Sequence, residues 1–266
     1  MTIDDAARRK FLEEYRCIRY AEGRGSDHSE YYRSLPYCNP NDKNVAMWAM
    51  RAKTYEYFVR HILEPKETLE QRALDILDLG AGNCWLSHRL SVRKHLPVAI
   101  DIFDDPRDGL AAARHYPTLF PKVVSDFDRI PLPSGSIDLA VFNASFHYSS
   151  NYVRTLDEAK RCLRPTGSIV ILDSPIYDKP EHGARMVEEK HSHFFELYGY
   201  RSDTLASIEY LDIPTLHWLQ QVLNISWQIY KPWYGWRWHL RPLKTRILNR
   251  RPPSKFWILV GRPEVR

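Results

Sequence analysis

Residues Ile76 to Cys84 read ILDLGAGNC, an apolar run that reaches an aspartate, Asp78, and then breaks into two glycines, Gly80 and Gly82. The apolar half reads as a buried strand and the glycines as the turn behind it. Glycine opens backbone angles closed to other residues, removes side chains so that a ligand can touch the main chain, and leaves free N–H groups at the start of the next helix. The stretch therefore predicts a ligand seat where a strand hands over to a helix.

Outward from it, short apolar runs alternate with helical segments. The runs are 73–79, 97–102, 122–125, 137–142 and 168–172, with helix candidates at 85–93, 107–116 and 152–163 between them. Such alternation predicts an α/β fold, a parallel sheet with helices on both faces. Ahead of it the sequence predicts an amphipathic helix from about Asp4 to Tyr20, with Phe11, Leu12, Tyr15 and Ile18 on one side. A loop with tyrosine anchors follows over 23–40, then a helix from Asp42 to Leu63 that Pro65 is expected to stop. After Tyr177 come expected helices over 181–198 and 213–223 and final strands over 226–230 and 255–260. The organisation expected is N-terminal helices and a cap loop over 1–70, then a core over 71–266 with an aromatic and basic insertion at about 231–254.

A chain of 266 residues, 44% hydrophobic, can bury a sizeable core. The opening MTIDDAARRKFLEEY has no apolar signal-peptide core, and no later stretch approaches the length of a membrane span, so a cytoplasmic location is expected. Cys17, Cys38, Cys84 and Cys162 lie far apart without a C-x-x-C pair, which favours reduced thiols over a disulfide framework or a zinc site. The net charge of +5 is local: Lys231 to Arg262 holds nine basic residues and no acidic ones, so the remainder is net acidic.

Two ligand classes use a glycine seat at the first strand of such a sheet, dinucleotides and S-adenosylmethionine. The dinucleotide pattern G-x-G-x-x-G needs a third glycine for close helix packing, and that position here is Trp85, which argues against NAD or FAD. No Lys or Arg sits in the turn, as suits a ligand without pyrophosphate. Asp101 closes the strand VAID 19 residues beyond Gly82, where a carboxylate can accept both ribose hydroxyls.

The remaining pattern, D-x-G-x-G, resembles motif I of the class I S-adenosylmethionine-dependent methyltransferases, with Cys84 a small departure where that family has a third small residue. Asp126-Phe127 after the third strand carries the same resemblance. So do IDLAVFNASFHY, with Asp138 and a strand end at Asn143 similar to motif IV, and the turn LRPTG before the fifth strand. Together the matches span about Leu74 to Ser174. The resemblance implies a Rossmann-like, seven-stranded, mostly parallel sheet with an antiparallel last strand, and S-adenosyl-L-methionine as cofactor. It implies that Asp78, Gly80, Ala81 and Gly82 form the seat, that Asp101 meets the ribose and that Ile102 beside it also borders the cofactor. Asp126 would accept from the adenine amino group, Phe127 would border the ring, and Asn143 would stand where methyl meets acceptor. Arg51, on the preceding helix, is the candidate for the methionine carboxylate.

Methyl transfer from a sulfonium is an in-line displacement of an already activated group, so orientation carries much of it and proton removal is the residual demand. His147, just past the fourth strand with an ordinary pKa of about 6.5, is the candidate base; the alternative is a residue that only walls the pocket. Asp173, at the end of the fifth strand, is second, with a turn role as its alternative. His191 and His193 fall on different helix faces, so a solvated helix is favoured over a metal site, and no metal is expected. For the insertion four readings stand: packing on the sheet, a lid, peripheral membrane contact through Trp233 to Arg251, or a nucleic-acid groove, with packing first and membrane contact second. The expected function is methylation of a small or lipid-like molecule, oxygen favoured. The alternatives are a methyltransferase acting on RNA or DNA, which the basic C-terminal stretch suggests, a DNA or protein amino methyltransferase, which the N-x-x-F of NASF suggests, and a non-catalytic nucleoside-binding protein. The oligomeric state stays open.

Overall fold

In the computed structural model, which describes residues 5–38, 41–199 and 207–264, the run around Asp78 becomes strand β1 (Asp75–Leu79). Ahead of it lie helices α1 (Asp5–Ala21), α2 (Ser29–Ser34), α3 (Val45–Phe58) and α4 (Glu64–Glu70). After it come α5 (Trp85–Val92), β2 (Leu96–Asp101), β3 (Lys122–Val124), β4 (Ile137–Asn143), α6 (Tyr152–Cys162) and β5 (Leu163–Leu172). The chain continues through β6 (Ile176–Tyr177), α7 (Pro180–Tyr198), β7 (Leu211–Asp212), α8 (Ile213–Leu223), β8 (Ile225–Tyr230), α9 (Trp236–His239), α10 (Arg241–Ile247) and β9 (Ile258–Pro263).

Seven strands form one sheet in the order β3-β2-β1-β4-β5-β9-β8. The first five run parallel, and β9 is antiparallel to both its neighbours. Alternate strand residues feed two apolar clusters. Ile76, Leu139, Val141, Val170 and Leu172 pack with Trp48, Phe58, Leu86 and Leu90 of α3 and α5. Leu77, Leu79, Ala140, Phe142, Ile169 and Ile171 pack with Leu156 and Ala159 of α6 and Leu216 and Leu219 of α8. A strand with both faces covered must be apolar throughout, which is why these segments read as continuous runs. Strand order reverses between β1 and β4, and a crevice opens there beyond the carboxyl ends of the strands.

Three elements depart from the sequence reading. Pro65 does not stop the helix before it. A π turn over Val59–Leu63 joins α3 to α4, shifting the carbonyls so that proline's missing N–H and its ring are accommodated. The helical run instead ends where Gln71 turns left-handed at φ 51°. The segment 107–116 yields only a 3-10 stretch, Leu110–His115, because Asp105 spends its carboxylate on the N–H groups of Arg107 and Asp108, a local turn that competes with helix. A small two-stranded sheet, β6 with β7, brackets α7 and has no signal in the sequence pattern.

At the far end of β4 from the crevice, Asp138 is fully buried. It accepts from both terminal nitrogens of Arg72 at 2.6 and 2.8 Å and from the Asp75 N–H at 2.8 Å, and Arg164 lies at 3.0 Å. Its role is to fasten β4 to the chain entering β1 and to the β5 turn.

Candidate active site

The glycine seat is built by left-handed backbone. Gly80 (φ +70°) has no room for a side chain, since a Cβ there would meet Ser145 Cβ at 2.3 Å; at Gly82 (φ +51°) a Cβ would make only an ordinary contact with the Asp108 carbonyl at 3.8 Å. Cys84 is also left-handed at φ 62° and N-caps α5. Its thiol is buried and points back to the Gly82 carbonyl, and burial pushes its pKa well up, so it is an inert filler. Trp85 occupies the place of a third glycine and packs edge-on against Trp48 and Tyr55 of α3.

A cavity of about 490 Å³ opens over this turn. Gly80, Ala81, Gly82, Asp101, Ile102, Asp126, Phe127, Asn143 and Arg51 all line it, so the fold gathers nine residues nominated from sequence in one place. The Asp101 carboxylate accepts from the N–H groups of Gly82 at 2.8 Å and Phe103 at 2.9 Å. Burial raises its pKa, and these two donors partly offset the shift. Phe127 lies edge-on to Phe142, leaving its ring as a wall of a flat slot.

Two nominated residues sit elsewhere. The Asp78 side chain does not line the cavity; it turns to α5, accepting from Ser87 N at 3.2 Å and Ser87 Oγ at 2.7 Å. Burial pushes its carboxyl up to about 7, and its work is to tie the strand to the helix that follows the glycines. His147 follows β4 on a 3-10 turn, but its ring is absent from the lining, with Nδ1 3.3 Å from Ser174 Oγ. Asp173, beyond β5 at φ 49°, is buried: Thr54 donates to its Oδ1 at 2.7 Å, and its Oδ2 has no partner. His191 pairs with Glu209 at 3.1 Å, as does Lys190 at 2.8 Å. Among the described residues no cluster of His, Cys, Asp or Glu is suited to a metal.

Sequence reading missed the roof. Helix α1 lays Phe11, Tyr15 and Arg19 over the cavity, and Tyr148 and Asp108 complete that side. Arg19 is ion-paired with Asp108. Burial works against the Arg19 charge, but the ion pair with Asp108 outweighs it and keeps the guanidinium protonated. Arg51 differs. Burial lowers its pKa, Arg24 adds to that, and Asp173 only partly compensates. No carboxylate bonds it among the described residues; it stacks over Trp48. A cation held in a cavity without a counter-ion is a receptor for an anion.

Residues 77–171 match the methyltransferase-domain family. This part of the chain is a class I S-adenosylmethionine-dependent methyltransferase domain. The domain is 31% identical over 99 residues to the malonyl-acyl-carrier-protein O-methyltransferase of Hahella chejuensis, a match covering 36% of this chain and 35% of that protein. The chain thus spans about a third of the length of that curated relative. Its fold is similar to that of the 1,6-didemethyltoxoflavin N1-methyltransferase of Burkholderia thailandensis, solved with S-adenosylhomocysteine: TM-score 0.54, 13% identity, 99% of this chain and 92% of that one. A Pyrococcus horikoshii protein superposes with TM-score 0.53 at 16% identity, covering 88% of this chain and 99% of that one.

Proposed function

We propose that the chain holds S-adenosylmethionine in this cavity and methylates a small or lipid-like molecule, with oxygen as the favoured acceptor atom. One observation carries the reading: candidate ribose, adenine and carboxylate partners line a single cavity. Asp101 offers a carboxylate for the ribose hydroxyls, Asp126 and Phe127 an acceptor and a wall for the base, and Arg51 a cation that no carboxylate bonds among the described residues for the methionine carboxylate. Phe11, Tyr15 and Tyr148 enclose the remaining side, which suits an acceptor of limited size. The preference for oxygen leans on the relative named as an O-methyltransferase.

S-adenosylmethionine brings a methyl group activated by sulfonium charge, so the protein's share is orientation and exclusion of water. Asn143, at the end of β4, and the left-handed Ala144 behind it (φ 55°) set the edge where an acceptor would lie. Isothermal titration of the full chain with S-adenosylmethionine tests the reading. One site per chain is expected; absence of binding would remove the methyltransferase assignment of the cavity, and binding without transfer to any acceptor would favour a nucleoside-binding protein.

His147 stays unprotonated at neutral pH, because burial, with Lys190 and Arg51 nearby, pushes its pKa down to about 3. Such a weakly basic ring makes a poor proton acceptor, so we infer that it shapes the acceptor edge. With an acceptor in hand, kcat is expected to show no His147 inflection between about pH 5 and 8. His147→Asn should lower kcat by less than about tenfold. A loss of roughly a hundredfold or more, together with a changed pH profile, would make the ring the general base.

A further inference from the structure

The insertion between β8 and β9 is fastened at its two ends, on one side through Tyr234 and on the other through Arg251, which bonds Glu189 at 2.6 Å and Tyr177 at 3.0 Å. Tyr234 is buried, donates to the Phe256 carbonyl at 2.8 Å and lies 2.9 Å from Thr54 Oγ1 of α3. Lys53 donates to the Tyr234 carbonyl at 3.0 Å, and Arg241 donates to the Ser254 carbonyl at 2.6 Å while stacking on Trp238. Between these ends, α9 and α10 run nearly end to end. Leu240 N bonds the Trp236 carbonyl and Lys244 N the Leu240 carbonyl, so one helical path continues across Pro242, whose missing N–H falls in the first turn of α10.

On that path Trp236, Leu240, Leu243 and Ile247 recur four, three and four residues apart, the spacing of one helix face. All four are exposed, Trp236 at 75% and Ile247 at 74%, and Trp233 stands against Trp236 at one end. A soluble surface rarely lines up two tryptophans and three aliphatic side chains without a partner. Around them Arg237, Lys244, Arg246 and Arg250 are exposed and bond no carboxylate among the described residues. The stretch from Lys231 to Arg262 contains no acidic residue to oppose them. Among the described residues no helix is long and apolar enough to cross a membrane, so the ridge can lie on a bilayer without spanning it.

We propose that this ridge is a docking surface for an anionic phospholipid bilayer, with Trp236, Leu240, Leu243 and Ile247 entering the interface and the four cations meeting lipid phosphates. Aliphatic side chains between cations favour lipid over nucleic acid, where phosphate contacts would leave Leu243 and Ile247 in water and stacking would call for aromatic rings along the whole groove. The bonds from Tyr234 to Thr54 place the ridge's root on the helix that carries Arg51 into the cavity, so docking would set the mouth of the site close to the lipid surface.

Vesicle flotation with the full chain tests this. Vesicles containing phosphatidylglycerol should bind the protein at low salt, vesicles of phosphatidylcholine alone at least about tenfold less, and raising salt should release it. The double variant W236S/I247S and the triple variant K244Q/R246Q/R250Q should each reduce binding by about tenfold or more. Both sets lie on exposed positions, so unchanged thermal melting separates lost docking from lost folding. Failure of the wild type to float would overturn the proposal. So would binding that the variants leave intact, preferential binding of duplex DNA or RNA that competes vesicles away, or a dimer in sedimentation analysis that buries the ridge. None of these readouts depends on what the cavity binds.

Discussion

Replacing Asp101 by alanine is expected to weaken S-adenosylmethionine binding by roughly a hundredfold or more. Hydrogen bonds from a ligand to a charged acceptor are worth about 1.5–3 kcal/mol each, and a ribose offers two hydroxyls to this one carboxylate. Asp101 is already prepared for them. It ends β2, where the sheet fixes its backbone, and the Gly82 and Phe103 N–H groups orient its oxygens toward the cavity. Removing it unties the glycine turn as well as the ribose, so both losses fall on the ligand. Asp101→Asn retains one acceptor oxygen and should fall between wild type and alanine. Titration calorimetry with melting curves of each variant provides the check; an alanine variant that binds within about threefold of wild type would place the ribose elsewhere.

Asp138→Ala should cost stability and spare the site. Cutting back a buried carboxylate in a bidentate pair with Arg72 and a second contact to Arg164 leaves the Asp75 N–H without its acceptor and takes one partner from each arginine, while Glu70 still pairs with Arg72 and Asp75 with Arg164, so the cost is about 1.5–3 kcal/mol. Chemical denaturation should show a lower midpoint, while whatever protein remains folded should bind the cofactor like wild type, because Asp138 lies at the opposite end of β4 from Asn143. The pH dependence has a definite sign. Burial alone would raise the Asp138 pKa, but Arg72, the Asp75 N–H and Arg164 hold it below the ordinary carboxylate value. A depressed folded-state pKa gives stability that is present above about pH 4 and lost as the pH falls through the folded value. Wild type should therefore lose part of its stability on acidification below about pH 4 that Asp138→Ala no longer has to lose. Equal acid sensitivity in both would remove Asp138 as its source.

Much of the site was legible because its parts are local. The seat at Gly80 to Gly82 is a backbone conformation written by two glycines after an apolar strand, and Asp101 closes one strand while Asp126 stands two residues beyond another. Asp78 looked like a ligand partner for the same local reason, yet its carboxylate serves Ser87 in the first turn of α5. Which way a strand-end side chain points is set by the cluster it must pack into, and Asp78 shares the face of β1 that carries Ile76. Pro65 shows the opposite failure: a strong local stop signal was overridden because the apolar side chains Ile62 and Leu63 are buried in the joining turn and hold the helix together across it.

The residues nobody would pick from the chain alone are those that meet across long separations. Arg19 reaches Asp108 over 89 positions, and Arg72 reaches Asp138 over 66. The exposure of Trp236 and Ile247 is of this kind too, since helical spacing displays an apolar stripe but not whether a neighbour covers it. By itself the sequence determined the alternating sheet, the glycine seat and the acidic residues around it, because backbone conformation and strand periodicity depend on a few adjacent residues. Only the tertiary structure decided the roof of α1 over the cavity, the place of Arg51 in it with no carboxylate bonded to it among the described residues, and the bare ridge of the insertion. Each of these depends on which distant surfaces are complementary in shape and charge, and that complementarity exists only once the chain has closed on itself.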